Sequence, residues 1–136
     1  RAQENGYPTP ICASKEATDI NFDTAVTYIL SNLDDISLYM GTHNEASCYR
    51  LLQQMQEANV PHDDNRIWFG QLYGMSDHIS FNLAAHGYNV SKYLPFGPVR
   101  DVMPYLIRRA EENTSVAGQT SRELELLVKE RKRRKM

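Results

Sequence analysis

Ile67-Trp68-Phe69-Gly70-Gln71-Leu72 is a short apolar run closed by Gly74, and apolar side chains fall on both of its alternating faces. A strand of that kind is covered on both sides, which is the habit of parallel sheets. The neighbouring segments repeat the pattern. Upstream, 36–41 (Ile-Ser-Leu-Tyr-Met-Gly) is a second β-friendly run, followed by a helical stretch at 45–58 with Cys48, Leu51, Leu52 and Met55 at spacings of three and four. Downstream, Ser76 or Asp77 caps a helix through Ile79, Leu83 and Ala84 that stops at Gly87, and 89–93 forms a third strand. Strands alternating with helices of this length imply βαβ units.

The outer segments complete the reading. Residues 1–5 look like the last turn of a helix stopped by Gly6, and Pro8 and Pro10 keep the next stretch extended. Ser14 is a candidate N-cap for a helix over 15–32. A further helix spans 98–113, where Pro98 suits the first position because its missing N–H would be unpaired there anyway. Val99, Val102, Met103, Leu106, Ile107 and Ala110 give that helix an apolar stripe. Tyr105, Arg108, Arg109 and Glu112 fall at i, i+3, i+4 and i+7 on another face. A tyrosine, two guanidiniums and a carboxylate in one line suit a small anion; the plainer alternative is a solvated face with arginine–glutamate pairs. After a break at 117–119, a last helix over 120–135 carries a narrow stripe of Leu124, Leu127 and Val128 and a basic end.

Three strands cannot close a barrel, and open three-stranded parallel sheets are unusual, so the chain is expected to be part of a larger α/β structure. No G-x-G-x-x-G follows any strand, which weighs against a dinucleotide-binding fold. Polar residues gather instead at the strand ends: Thr42, His43 and Asn44 after the first, Gly70 and Gln71 in the second, Tyr93 in the third. That edge is where barrel enzymes build their sites.

Composition excludes several classes. With 136 residues, 41% hydrophobic, 24% charged and a net charge of −2, the chain has the balance of a soluble globular domain. No apolar run approaches the ~20 residues of a membrane span. The polar start carries no secretory signal, so the chain is expected to begin inside a larger element. Cys12 and Cys48 lack CxxC spacing and read as free thiols, and the four histidines show no metal-ligand spacing. Negative net charge and a basic run without interleaved aromatics argue against a nucleic-acid role. Trp68 and Phe69 read as packing residues.

Four motifs occur in register: Tyr39-x-x-Thr42-His43-Asn44, Phe69-Gly70-Gln71-Leu72-Tyr73-Gly74-Met75, Tyr93-Leu94-Pro95-Phe96-Gly97 and Tyr105-Leu106-Ile107-Arg108-Arg109-x-x-Glu112-Asn113. With the opening Gly6-Tyr7-Pro8-Thr9-Pro10-Ile11, they resemble the proline dehydrogenase family from residue 1 to about residue 128. The resemblance implies the C-terminal portion of a distorted (βα)8 TIM barrel, about three strands and their helices, completed by a segment not in this chain. Residues 1–116 would hold the last βα units with the active-site helix 98–113, and 117–136 a C-terminal helix with a basic end. It implies a flavoprotein oxidoreductase of proline catabolism that uses FAD to oxidise L-proline to Δ1-pyrroline-5-carboxylate and passes electrons to a quinone.

Carried over residue by residue, Arg108 and Arg109 match the pair that clamps the substrate carboxylate, a task suited to a planar guanidinium fork. Tyr105, Tyr93 and Leu72 match residues that wall the pyrroline ring. Glu112 matches the carboxylate that holds the arginine helix and reaches the ribityl chain. Thr42, His43 and Asn44 match strand-end contacts to FAD, Gly70 and Gln71 the stretch near its adenosine and pyrophosphate, and Thr18 a threonine on the same rim. Tyr93 stands where hydroxyproline-preferring members carry a small residue, which favours proline; hydroxyproline dehydrogenase and a non-catalytic barrel fragment are the alternatives. A barrel enzyme gripping phosphate would need a glycine-rich loop that Gly97 alone does not make. The family's flavin lysine, substrate aspartate and an arginine-bearing strand match nothing in this sequence, so a second polypeptide is expected to supply the first strands. The resemblance places such an enzyme at the mitochondrial inner membrane, matrix side, in a eukaryote, or in bacterial cytoplasm with peripheral membrane contact, for which the basic run 129–135 is a candidate.

Overall fold

A computed structural model describes residues 1–2, 4–115 and 119–134, with side chains outside 112–123. It divides into two compact units, residues 1–94 and 95–136. The division precedes the arginine helix.

The first unit runs α1 (Lys15–Leu30), β1 (Leu38–Gly41), α2 (Glu45–Glu57), β2 (Ile67–Leu72), α3 (Asp77–Ala85) and β3 (Val90–Tyr93). The strands pair in parallel in the order β1-β2-β3, with Met40 beside Phe69 and Phe69 beside Val90. α1, α2 and α3 cover one face, and Met40, Leu51, Met55, Ile67 and Phe69 are fully buried there. Burial of side chains this size contributes about 1.5–3 kcal/mol each. The alternate residues face the other way: Tyr39 is 58% exposed, Trp68 39% and Tyr93 52%. Within this unit the helices thus cover one face of the strands, because crossovers of one hand put α2 and α3 on the same side, where α1 joins them.

Local chemistry sets the ends. Ser14 caps α1, its Oγ accepting from the Ala17 N–H at 3.1 Å. Ahead of it, Tyr7 N–H donates to the Ala2 carbonyl at 2.9 Å and Gly6 sits at φ 66°, a left-handed helix stop. β1 begins at Leu38 rather than residue 36 because Ile36 N–H is held in a turn by the Asn32 carbonyl at 3.0 Å. Before β2, Arg66 grips Asp64 at 2.7 Å and reaches Asp34 at 3.0 Å, tying together the loops beneath β1 and β2. Both cysteines are free thiols.

The second unit holds α4 (Val99–Ser115) and α5 (Gln119–Arg134). Pro104 lies inside α4, where it removes the hydrogen bond to the Arg100 carbonyl. The apolar stripe of α4 forms but is not buried: Val99, Met103, Leu106 and Ile107 are exposed. On α5, Arg133 and Arg134 bind Glu130 at 2.6 and 2.8 Å.

Candidate functional site at the strand ends

The strands end on one edge, and most of the polar groups singled out by sequence in the first unit sit there. Asn44 is the N-cap of α2: its Oδ1 accepts from the N–H groups of Ala46 and Ser47 at 3.1 and 3.4 Å. Thr42 Oγ1 accepts from Asn44 N–H at 3.1 Å. What the two side chains retain are donors, the threonine hydroxyl hydrogen and the asparagine Nδ2.

His43 is held at both ring nitrogens. Leu72 N–H donates to Nε2 at 3.4 Å, so Nδ1 carries the proton and donates to Ser76 Oγ at 2.8 Å. Ser76 adopts left-handed backbone (φ 51°) and its side chain does not cap α3, since the hydroxyl is turned to His43. Ser80 Oγ donates to Gln71 Oε1 at 2.8 Å, with the Ser76 carbonyl 3.3 Å away, and Gln71 Nε2 donates to the Thr42 carbonyl at 3.3 Å. Thr42, His43, Ser76, Ser80 and Gln71 therefore close a ring of hydrogen bonds between the ends of β1 and β2 and the start of α3. Gln71 is 2% exposed. Its side chain and that of His43 are held in place by this ring at the end of the strands.

The reason is periodicity. Gln71 stands two residues from Phe69 and shares its face, the one packed on helices. Gly70 faces the open side, where the Tyr39 ring lies across it. Leu72 and Tyr93 are register partners on that open side, next to one another at the edge. Lys92, absent from the sequence reading, donates to the Met75 carbonyl at 2.6 Å and pairs with Asp77 at 2.8 Å, fixing the loop after β2. Ser80 and Ser91 were also missed, while Ser76 was read only as a helix cap and Tyr39 only as a motif residue; the spacing of Ser76 and Ser80, one helical turn apart, was the available signal. Thr18 lies in the first turn of α1 with its hydroxyl donating to the Ser14 carbonyl at 3.0 Å.

In the second unit, the Arg109 guanidinium carbon lies 5.3 Å from the centre of the Tyr105 ring, a cation–π contact one turn along α4. Arg108 is exposed on the adjacent position. The Glu112 side chain lies outside those described.

Asp64 and Cys48 are among the titrating groups that are shifted. Hydrogen bonds from the Arg66 side chain and backbone hold the Asp64 carboxyl down at about 2. Burial pushes the Cys48 thiol up to about 11.

A sequence profile of the family described as proline dehydrogenase matches residues 1–122. The chain belongs to the proline dehydrogenase family. It is 43% identical over 98% of its length to a protein named proline dehydrogenase 1, mitochondrial, from Homo sapiens, covering 23% of that protein. It is 39% identical over 98% of its length to a hydroxyproline dehydrogenase from Xenopus laevis, covering 29%. A solved structure of proline utilization A from Bdellovibrio bacteriovorus, inactivated by N-propargylglycine, matches 87% of this chain and 12% of its own with a TM-score of 0.75 and 30% identity. This proline dehydrogenase family chain thus spans about a quarter of the curated relatives' length.

Proposed function

We propose that the protein containing this chain oxidises L-proline to Δ1-pyrroline-5-carboxylate with FAD and passes the electrons to a quinone. One observation carries the reading: a chain that matches the family over residues 1–122 collects Leu72, Tyr93 and the Thr42–Asn44 segment at one edge of a parallel β/α sheet. The barrel reading is supported by the uncovered aromatic face of the sheet, which calls for the first strands of a (βα)8 barrel to close over it, supplied by a segment outside this sequence or by a second polypeptide. Relatives named mitochondrial favour that compartment, and the basic end of α5 suits peripheral contact with a quinone-bearing membrane.

The residues at the edge fit a flavin in part. Thr42 and Asn44 keep donors, and the open face offers Tyr39, Trp68 and Tyr93 as flat apolar surface. His43 stands with Thr42 and Asn44 at the strand ends that would hold FAD, with Gly70 and Gln71 toward its adenosine and pyrophosphate, and the hydrogen bonds of His43 and Gln71 keep that edge rigid. FAD, when bound, supplies the two-electron acceptor. Arg108 and Arg109 bind the substrate carboxylate, with Tyr105 beneath the Arg109 guanidinium to orient it. Glu112 steadies that helix and Thr18 contributes to the rim. Leu72, Tyr93 and Tyr105 wall the ring and exclude water, and the substrate nitrogen releases its proton to solvent.

An anaerobic absorption spectrum of the full-length protein tests this. The oxidised flavin band should bleach with L-proline and hardly with 4-hydroxyproline. A flavin that ignores proline would sink the substrate assignment. Preferential bleaching by hydroxyproline would replace the Tyr93 reading with the activity named for the Xenopus laevis relative.

A further inference from the structure

We propose that Tyr39 is a positioning residue that forms the floor of this site, held at its height by Ser91, and that Gly70 lacks a side chain in order to admit it. The proposal rests on the function just stated. Strand register sorts the open face into three levels: Tyr39 with Trp68, then Gly41, Gly70 and Ser91, then Leu72 with Tyr93. The middle level holds no side chain larger than serine. Tyr39 fills it from below. Its ring lies where a Cβ on Gly70 would overlap both hydroxyl and ring carbons, and it passes 3.7 Å from where a Gly41 Cβ would stand. The Tyr39 hydroxyl is 2.7 Å from Ser91 Oγ, so the phenol crosses all three strands and ties β1 to β3.

Tyr39 packs on the face away from α1, α2 and α3, the inner face of the proposed barrel, and its polar end is matched to Ser91 there. Same-face residues two apart along a strand are separated by about 6.6 Å, so the ring lies one step below Leu72 and Tyr93, the two residues that wall the substrate ring. Ser91 is two residues before Tyr93 on the same face, so the bond from Tyr39 fixes the piece of β3 that carries Tyr93. The floor keeps water beneath the site from reaching the substrate, and its hydroxyl pair sets how far Tyr93 can lean.

The test uses the full-length flavin-loaded enzyme with Tyr39→Phe, Ser91→Ala and the double variant. Each single variant should raise KM for proline about fivefold with kcat nearly unchanged, the size expected for one neutral hydrogen bond. Each should also shift the bound-flavin absorption band and narrow the preference for proline over hydroxyproline, and the double variant should be no worse than either single one. Thermal melting of the three should stay near that of the unaltered enzyme. Unchanged KM and flavin spectrum in Tyr39→Phe, or additive losses in the double variant, would overturn the assignment. If the unaltered enzyme does not oxidise proline, the functional reading falls and this proposal with it; if it does and Tyr39→Phe is indistinguishable, only the floor is lost.

Discussion

Asn44 shows how one side chain at the strand edge serves two needs. Its Oδ1 caps α2 while its Nδ2 is left to donate. Asn44→Ala should therefore lower stability by about 1 kcal/mol, and Asn44→Asp should restore the cap without restoring the donor. Denaturant unfolding of the full-length protein, compared with its flavin content, separates the two roles. Gln71→Leu should cost about 1–3 kcal/mol, because it removes the shorter acceptor of the buried Ser80 hydroxyl and the donor to the half-buried Thr42 carbonyl; equal midpoints for Gln71→Leu and the unaltered protein would refute the closed ring. Arg109→Lys keeps the charge but loses the planar fork over Tyr105, and should cut kcat/KM for proline by ~10–100-fold. Cys48, buried with its thiol raised to about 11, should resist a maleimide at pH 7.5 that labels the less buried Cys12.

At the scale of elements, the loops beneath the sheet matter as much as the edge above it. Asp64, Arg66 and Asp34 join the entries to β1 and β2, and Asn89 Nδ2 donates to the carbonyls of Asp64 and Ile67 at 2.8 and 3.2 Å, bringing in β3. The Asp64 carboxyl lies below its ordinary value of 3.8, at about 2, because Arg66 binds its charged form. A lowered folded value means stability present above pH 3.8 and lost as pH falls toward 2. Asp64→Asn should flatten that part of an acid unfolding curve and leave neutral-pH behaviour of the edge intact. α5 is different: Glu130 is held down at about 2 by Arg133 and Arg134, but all three groups are exposed, so salt should erase much of the effect.

For the molecule as a whole, the open face decides behaviour. A sheet with Tyr39, Trp68 and Tyr93 uncovered is an apolar aromatic surface, flanked by strand edges at β1 and β3. Expressed alone, the chain should bind a hydrophobic dye, self-associate and carry no flavin. Adding the remaining barrel strands should suppress dye binding and give the yellow, proline-bleachable form. A monomeric, dye-silent chain on its own would contradict the barrel reading.

Much of this was legible in the order of residues. Apolar runs and helical spacings placed all three strands and the helices between them, because both periods follow from local backbone geometry. The motifs around Thr42, Leu72, Tyr93 and Arg108 carried the family. What the order of residues left open was which way each polar side chain would turn. His43 and Gln71 read as ligand contacts, and the fold adds bonds to Ser76, Ser80 and the Thr42 carbonyl that the order of residues did not show. Tyr39 read as a motif residue, yet it spans three strands to Ser91. Those outcomes depend on groups brought together across 9 to 52 positions of chain, and the register of parallel strands sets which of the distant ones meet.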